Sequence, residues 1–170
     1  MSQALKKILI VDDEESITLL LSAILNDKYQ LESAPNSHDA ILKIFDFQPD
    51  LITVDIHMTG LKGDYLLPII RAWKPNIPTF VITGSKDLGV KERCFEKGAT
   101  GYMTKPFDKH KLLEQVASTL NSEVKPTIFS EKIFDEVELA LGILERKGSI
   151  TEDQAKEEIR KVKHQLKIYS

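Results

Sequence analysis

The chain of 170 residues has a single cysteine, Cys94, and therefore no internal disulfide. A lone thiol is the pattern of a reducing compartment. No apolar run approaches the roughly 18 residues that a membrane span needs. Near the N-terminus, Lys6-Lys7 precedes only Ile8-Leu9-Ile10-Val11 before the acids Asp12-Asp13-Glu14-Glu15, too little for a secretory signal core. Net charge is also scarce: 23 basic against 26 acidic side chains leave −3, no global footprint for nucleic acid. Repeats and low-complexity tracts are absent. Secreted, membrane-spanning and disulfide-stapled classes are excluded, and a soluble cytoplasmic protein is expected. With 42% hydrophobic and 29% charged residues, the length suits one ordinary domain with a real core and a modest appendage.

Short apolar runs alternate with helix-period segments over the first 120 or so residues. The runs are Ile8–Asp12, Tyr29–Ser33, Leu51–Asp55, Thr79–Thr83 and Thr100–Thr104. Ile8–Val11, Leu51–Val54 and Phe80–Ile82 lack polar alternation and read as strands buried on both faces. Helices are expected near Ser16–Asn26, Ser37–Phe47, Asp64–Trp73, Leu88–Lys97 and Asp108–Asn121, with Gly98 as a C-terminal cap. Strand-helix alternation implies right-handed crossovers and a parallel sheet covered on both faces. The fold class is α/β, a flavodoxin-like five-stranded parallel sheet of order 2-1-3-4-5.

In such a sheet, ligands bind beyond the carboxyl ends of the strands. Asp12 and Asp13 end the first strand, Asp55 the third and Thr83 the fourth, and Lys105 follows the fifth. Strands one and three are neighbours in this order, so Asp12, Asp13 and Asp55 converge. Carboxylates about 4 Å apart repel by roughly 4 kcal/mol per pair at an effective dielectric of 20. A hard divalent cation relieves that repulsion, and a mixed carboxylate, carbonyl and water site suits Mg²⁺, or Mn²⁺. Lys105 adds positive charge, Thr83 a hydroxyl donor, and Gly84 permits close backbone approach. A carboxylate nucleophile, a Lewis acid and two donors are the parts that phosphoryl transfer to aspartate requires.

These pieces resemble the receiver domain of two-component response regulators. The match rests on Ile8-Leu9-Ile10-Val11-Asp12-Asp13-Glu14, Asp50–Asp55, Val81-Ile82-Thr83-Gly84 and Gly98–Phe107 with its Lys105-Pro106 pair. The resemblance implies that Asp55 accepts a phosphoryl group from a histidine kinase or phosphotransfer protein. It implies that Asp12, Asp13, Asp55 and the backbone carbonyl of His57 hold Mg²⁺, and that Lys105 and Thr83 bind phosphoryl oxygens. It also implies a cis Lys105-Pro106 peptide and a switch in which Tyr102 enters space vacated by Thr83. One departure is clear: the family often has Met-Pro after the phosphoacceptor strand, and here Met58 is followed by Thr59.

The expected domains are a receiver over residues 1–122, a linker over 123–128 and a helical hairpin over 129–170. In the hairpin, Ile133, Val137, Ala140 and Leu144 form one stripe, and Ala155, Ile159, Val162 and Leu166 another. Gly148-Ser149 separates them, and Thr151-Glu152-Asp153-Gln154 is a capping box. The second helix has no further turn for a helix-turn-helix, and its acid-first, base-last polarity matches the helix dipole, so nucleic acid is not an expected partner. Phe129–Leu144 is too apolar for a hairpin to cover alone, which points to a homodimer through the tail, or to docking on the receiver's last helix. The downstream protein partner is unknown. Two readings compete with the switch: a Mg²⁺-dependent phosphohydrolase with an aspartyl intermediate, and a receiver-linked transcription factor.

Overall fold

A computed structural model describes residues 4–124, 131–148 and 150–168 of the chain. Five strands, β1 (Lys7–Val11), β2 (Gln30–Ala34), β3 (Leu51–Val54), β4 (Thr79–Thr83) and β5 (Gly101–Thr104), form one parallel sheet in the order β2-β1-β3-β4-β5. Five helices alternate with them: α1 (Glu15–Leu25), α2 (Ser37–Phe47), α3 (Gly63–Trp73), α4 (Leu88–Glu96) and α5 (Lys109–Leu120). Two more follow, α6 (Glu131–Arg146) and α7 (Glu152–Ile168). The expected strand order is observed, and element ends differ from expectation by a residue or so. The linker lies largely outside the described residues, as do Ser149 and the side chains of Ile133, Val162 and Leu166.

Side-chain alternation along the strands divides the core. Leu9, Val11, Ile52 and Val54 face α2 and α3, while Ile8, Ile10, Leu51, Phe80 and Ile82 face α1 and α5. Strands β3 and β4 are buried at every position, which is why they read as unbroken apolar runs. Edge strand β2 shows the alternating exposure of a strand with one wet face. Helix starts follow side-chain capping: Asn36, Asp87 and Asp108 accept the N–H of Asp39, Gly89 and Lys111. Gly98 adopts φ +103°, the left-handed turn that ends α4 and leads into β5. Cys94 is buried, and burial raises its thiol to about 11, so it is no thiolate at neutral pH.

The described part of the hairpin is docked within the chain. Helices α6 and α7 pack against α3. Val137, Ala140, Leu141 and Leu144 are buried in the same cluster as Ile41 and Ile44 of α2 and Leu66, Ile69 and Ile70 of α3. Ile150 and Ala155 join it from the hairpin's second half. Of the segment Phe129–Leu144, the described residues Val137, Ala140, Leu141 and Leu144 are covered within the chain, and Phe129 lies outside the described residues. The capping box forms as read: Thr151 N–H donates to Gln154 Oε1 at 2.8 Å, and Gln154 N–H donates to Thr151 Oγ1 at 3.2 Å. Ion pairs Lys156–Glu152 and Arg160–Glu157 lace the exposed face of α7.

Leu141 is fully buried and Leu139, two residues away, is 55% exposed, so the pair separates docking from helix propensity. Leu141→Ala is expected to cost about 2–5 kcal/mol in urea denaturation of the full chain. Leu139→Ala should stay within about 0.5 kcal/mol of wild type. Equal, small effects at both positions would contradict the docked arrangement.

Candidate functional site

The site is built by strand ends. Val11 of β1 lies opposite Val54 of β3, so Asp12 and Asp55, the next residues of each strand, stand side by side. Backbone bonds hold both: Asp12 N–H donates to Ala34 O at 3.2 Å, and Asp55 N–H to Val11 O at 2.9 Å. Thr83 and Thr104 are paired at the ends of β4 and β5, and Lys105 N–H donates to Thr83 O at 2.7 Å. The Lys105-Pro106 peptide is cis, as the resemblance implied.

From that position the Lys105 ammonium reaches over the end of β4. It lies 2.8 Å from Asp12 Oδ2, 2.7 Å from Asp55 Oδ2 and 3.4 Å from Glu14 Oε1. The lysine and both aspartates are nearly removed from solvent, and Glu14 is exposed. Burial pushes the Asp12 carboxyl above its ordinary range, and the bonds from Lys105 and from Glu14 N–H only partly offset this. Burial also pulls on Lys105 in the direction of neutrality, but the two aspartates outweigh it and hold its ammonium above the usual lysine value.

Not every residue singled out in the sequence meets here. Asp13 turns away, and its Oδ2 accepts the backbone N–H of Thr59 at 2.9 Å. Glu14 takes its place: Asp12, Glu14 and Asp55 each bring a carboxylate oxygen within 4.8 Å of the others. Glu14 was legible only as a member of the acidic run after β1, where no spacing rule distinguishes it from Asp13. His57 N–H donates to Asp55 Oδ1 at 3.0 Å, which leaves its carbonyl on the same loop. Buried Thr83 accepts the Ser85 N–H at 3.3 Å, and Tyr102 donates its hydroxyl to Ser85 O at 3.2 Å. Thr83 and Tyr102 are thus joined through one residue. The ideal Cβ position at Gly84 is open, with no atom within 4 Å.

Gly63 has a different role. A Cβ there would lie 2.1 Å from the Asp55 carbonyl oxygen and 2.8 Å from Val54 Cγ1. Only glycine lets α3 begin against the backbone of the central aspartate. The donors that meet at Asp12, Glu14 and Asp55 are all hard oxygens, and two of the three carboxylates, those of Asp12 and Asp55, are buried. Both features fit Mg²⁺ or Mn²⁺. Among the described residues no helix is long and apolar enough to cross a membrane.

A family model described as the response regulator receiver domain matches residues 8–117, leaving α6 and α7 outside it. The chain is 34% identical over 134 residues to the alkaline phosphatase synthesis transcriptional regulatory protein PhoP of Bacillus subtilis, covering 78% of this chain and 56% of that one. It therefore spans little more than half of that regulator. Sporulation initiation phosphotransferase F of the same organism is 31% identical over 116 residues, covering 68% of this chain and 94% of its own length. Among solved structures, a CheY-like receiver domain protein of Methanospirillum hungatei superposes with a TM-score of 0.66 at 29% identity. That match covers 69% of this chain and 95% of the other.

The two shifted groups give opposite pH signatures. Lys105 contributes stability that is complete below the ordinary lysine value of 10.5 and is lost as pH rises through its higher folded value. Asp12 binds its proton more tightly when folded, so its ionisation costs stability as pH rises from 3.8 through its raised value, and the cost persists at pH 7. Lys105→Met removes the counter-charge from that ionised pair. In EDTA it should lose on the order of 3 kcal/mol at pH 7. The deficit relative to wild type should shrink near pH 4, as Asp12 takes up its proton. A deficit independent of pH, measured by urea denaturation, would contradict the coupling.

Proposed function

Because the chain belongs to the response regulator receiver domain family, we propose that Asp55 is its phosphoacceptor and that the domain works as a signalling switch. The observation that carries this reading is the convergence of Asp55, Asp12 and Lys105 within 2.8 Å contacts of one ammonium. A carboxylate oxygen of Asp55 attacks the phosphorus of a phosphohistidine on a histidine kinase or phosphotransfer protein. The new O–P bond forms as the N–P bond breaks, and the electron pair stays on the donor's ring nitrogen. Lys105 is placed to hold a phosphoryl oxygen once its contact with Asp55 is given up. Thr83 can supply a hydroxyl donor by leaving the Ser85 amide, and Gly84 offers backbone with open space around it.

A divalent cation would be held by Asp12 and Asp55, with Asp13 or Glu14 and the His57 carbonyl completing the protein's share. It would neutralise charge on the transferring group. The output in this reading follows Thr83: when its hydroxyl turns to the phosphoryl group, the Ser85 backbone that holds the Tyr102 hydroxyl is freed to shift. We assign residues 1–122 to the receiver, 123–128 to a linker and 129–170 to the hairpin. The setting we infer is cytoplasmic, where the phosphoryl donors of such switches act. We infer a protein-directed output, with the described apolar residues of the hairpin, Val137, Leu141, Leu144 and Ala155 among them, packed in the cluster that includes α3.

Incubation with acetyl phosphate and Mg²⁺ should place one phosphoryl group on each chain, read by intact mass. Asp55→Asn should abolish the label. A label that survives in Asp55→Asn would reassign the acceptor. Repeated release of phosphate from small phosphoesters would favour a phosphohydrolase, although Asp12 and Asp13 are adjacent and not two residues apart on the first strand.

A further inference from the structure

The loop between β3 and α3 is held at both ends of its chemistry. On one side, Thr59 N–H occupies the carboxylate of Asp13. On the other, Met58 and Leu61 are buried in the cluster that takes in Val137, Leu141 and Leu144 of the hairpin. Ser37 at the start of α2 donates its hydroxyl to Leu61 O at 2.7 Å, which fixes the loop's far end. The end of α6 leans over its middle. Thr59, Gly60 and Leu61 share the lining of a cavity of about 540 Å³ with Leu144 and Lys147. The Lys147 ammonium lies 3.5 Å from where a Cβ on Gly60 would stand.

We propose that hairpin docking and cation loading compete for this loop: the docked hairpin holds Thr59 on Asp13 and so keeps that carboxylate off the metal-binding cluster. This rests on the cation site described under the proposed function. Three observations support the sign. Asp13 is the one acid of the run whose carboxylate is engaged by the β3–α3 loop, while Asp12 and Glu14 face Lys105. The engaging donor is a backbone N–H on Oδ2, so Asp13 can bring that oxygen inward only by breaking the bond or by drawing the loop with it. The loop cannot follow freely while Leu61 is packed with Leu144 and bonded to Ser37. A cation that recruits Asp13 must therefore work against docking, and by linkage an undocked hairpin must bind the cation more tightly. The hairpin residues act as positioning groups through Thr59, without touching the reacting atoms.

The test is a Mg²⁺ titration of the full chain, followed by the backbone amide NMR shifts of His57 and Gly84. Thr59→Pro deletes the donor to Asp13 and alters no carboxylate. Leu144→Asp undocks the hairpin by burying a charge at its contact with the loop. Each is expected to tighten Mg²⁺ binding by about 5-fold or more, and the double variant should gain little beyond either alone, because both act through one bond. Unchanged or weaker affinity in Thr59→Pro overturns the competition. Wild-type protein supplies an arm that depends on no variant's folding: saturating Mg²⁺ should speed hydrogen exchange in α6, and unchanged or slower exchange overturns the proposal. A wild-type chain with no saturable Mg²⁺ response would overturn the site reading itself. Equal saturable binding in all variants would overturn the coupling alone.

Discussion

The Lys105 ammonium between Asp12 and Asp55 is the interaction on which the rest of this end of the molecule depends. Two carboxylates nearly removed from solvent, on adjacent strands, repel one another, and the ammonium between them offsets that repulsion. Lys105 is positioned toward them by the level ends of β4 and β5 and by its own N–H, which is tied to Thr83 O. The central strand pair then has to hold the aspartates rigidly, which the Asp55 N–H bond to Val11 and the Asp12 N–H bond to Ala34 accomplish. Gly63 lets α3 close over the same backbone. Sheet order, strand register and one glycine are thus all spent on a single cluster of charge.

That cluster stores a choice. With Lys105 in place, burial still holds the Asp12 carboxyl above its ordinary value against the pull of the ammonium. A phosphoryl group on Asp55 would change the demand on the same ammonium, because the lysine cannot serve two aspartates and a phosphoryl oxygen with unchanged geometry. The contacts next to the cluster are local and exchangeable: Thr83 with the Ser85 amide, Tyr102 with the Ser85 carbonyl, Asp13 with the Thr59 amide. Each is a single hydrogen bond of modest net value.

How much of this was legible in the sequence follows from the kind of interaction concerned. Strand order and the meeting of Asp12, Asp55 and Lys105 could be read because buried parallel strands leave unbroken apolar runs, and residues at their carboxyl ends must gather at one edge. The orientation of Asp13 could not be read. Adjacent residues after a strand point to different sides, and which side faces the cluster depends on a loop 46 residues further on, where Thr59 supplies an N–H. Glu14 entered the cluster for the same reason. The capping box at Thr151 was legible because both partners lie within one helical turn.

The hairpin marks the limit of periodicity as a guide. Val137, Ala140 and Leu144 announce an apolar stripe, and a stripe says that something must cover it without saying what. The cover turned out to be α3, whose own sequence, Gly63–Trp73, is apolar around most of its circumference: residues from Leu66 through Ala72 are all buried. A helix lying on an open sheet normally shows one wet face, and α3 does not. That excess on α3 is the complement of the excess on α6, and Arg71 is buried among these residues by giving its guanidinium to the backbone oxygens of Pro75 and Gly98 and to Thr100 Oγ1. Two faces that each carry more apolar surface than their own unit can bury are resolved together by intramolecular docking. The same docking brings Leu144 and Lys147 to the β3–α3 loop, where they line one cavity with Thr59, Gly60 and Leu61.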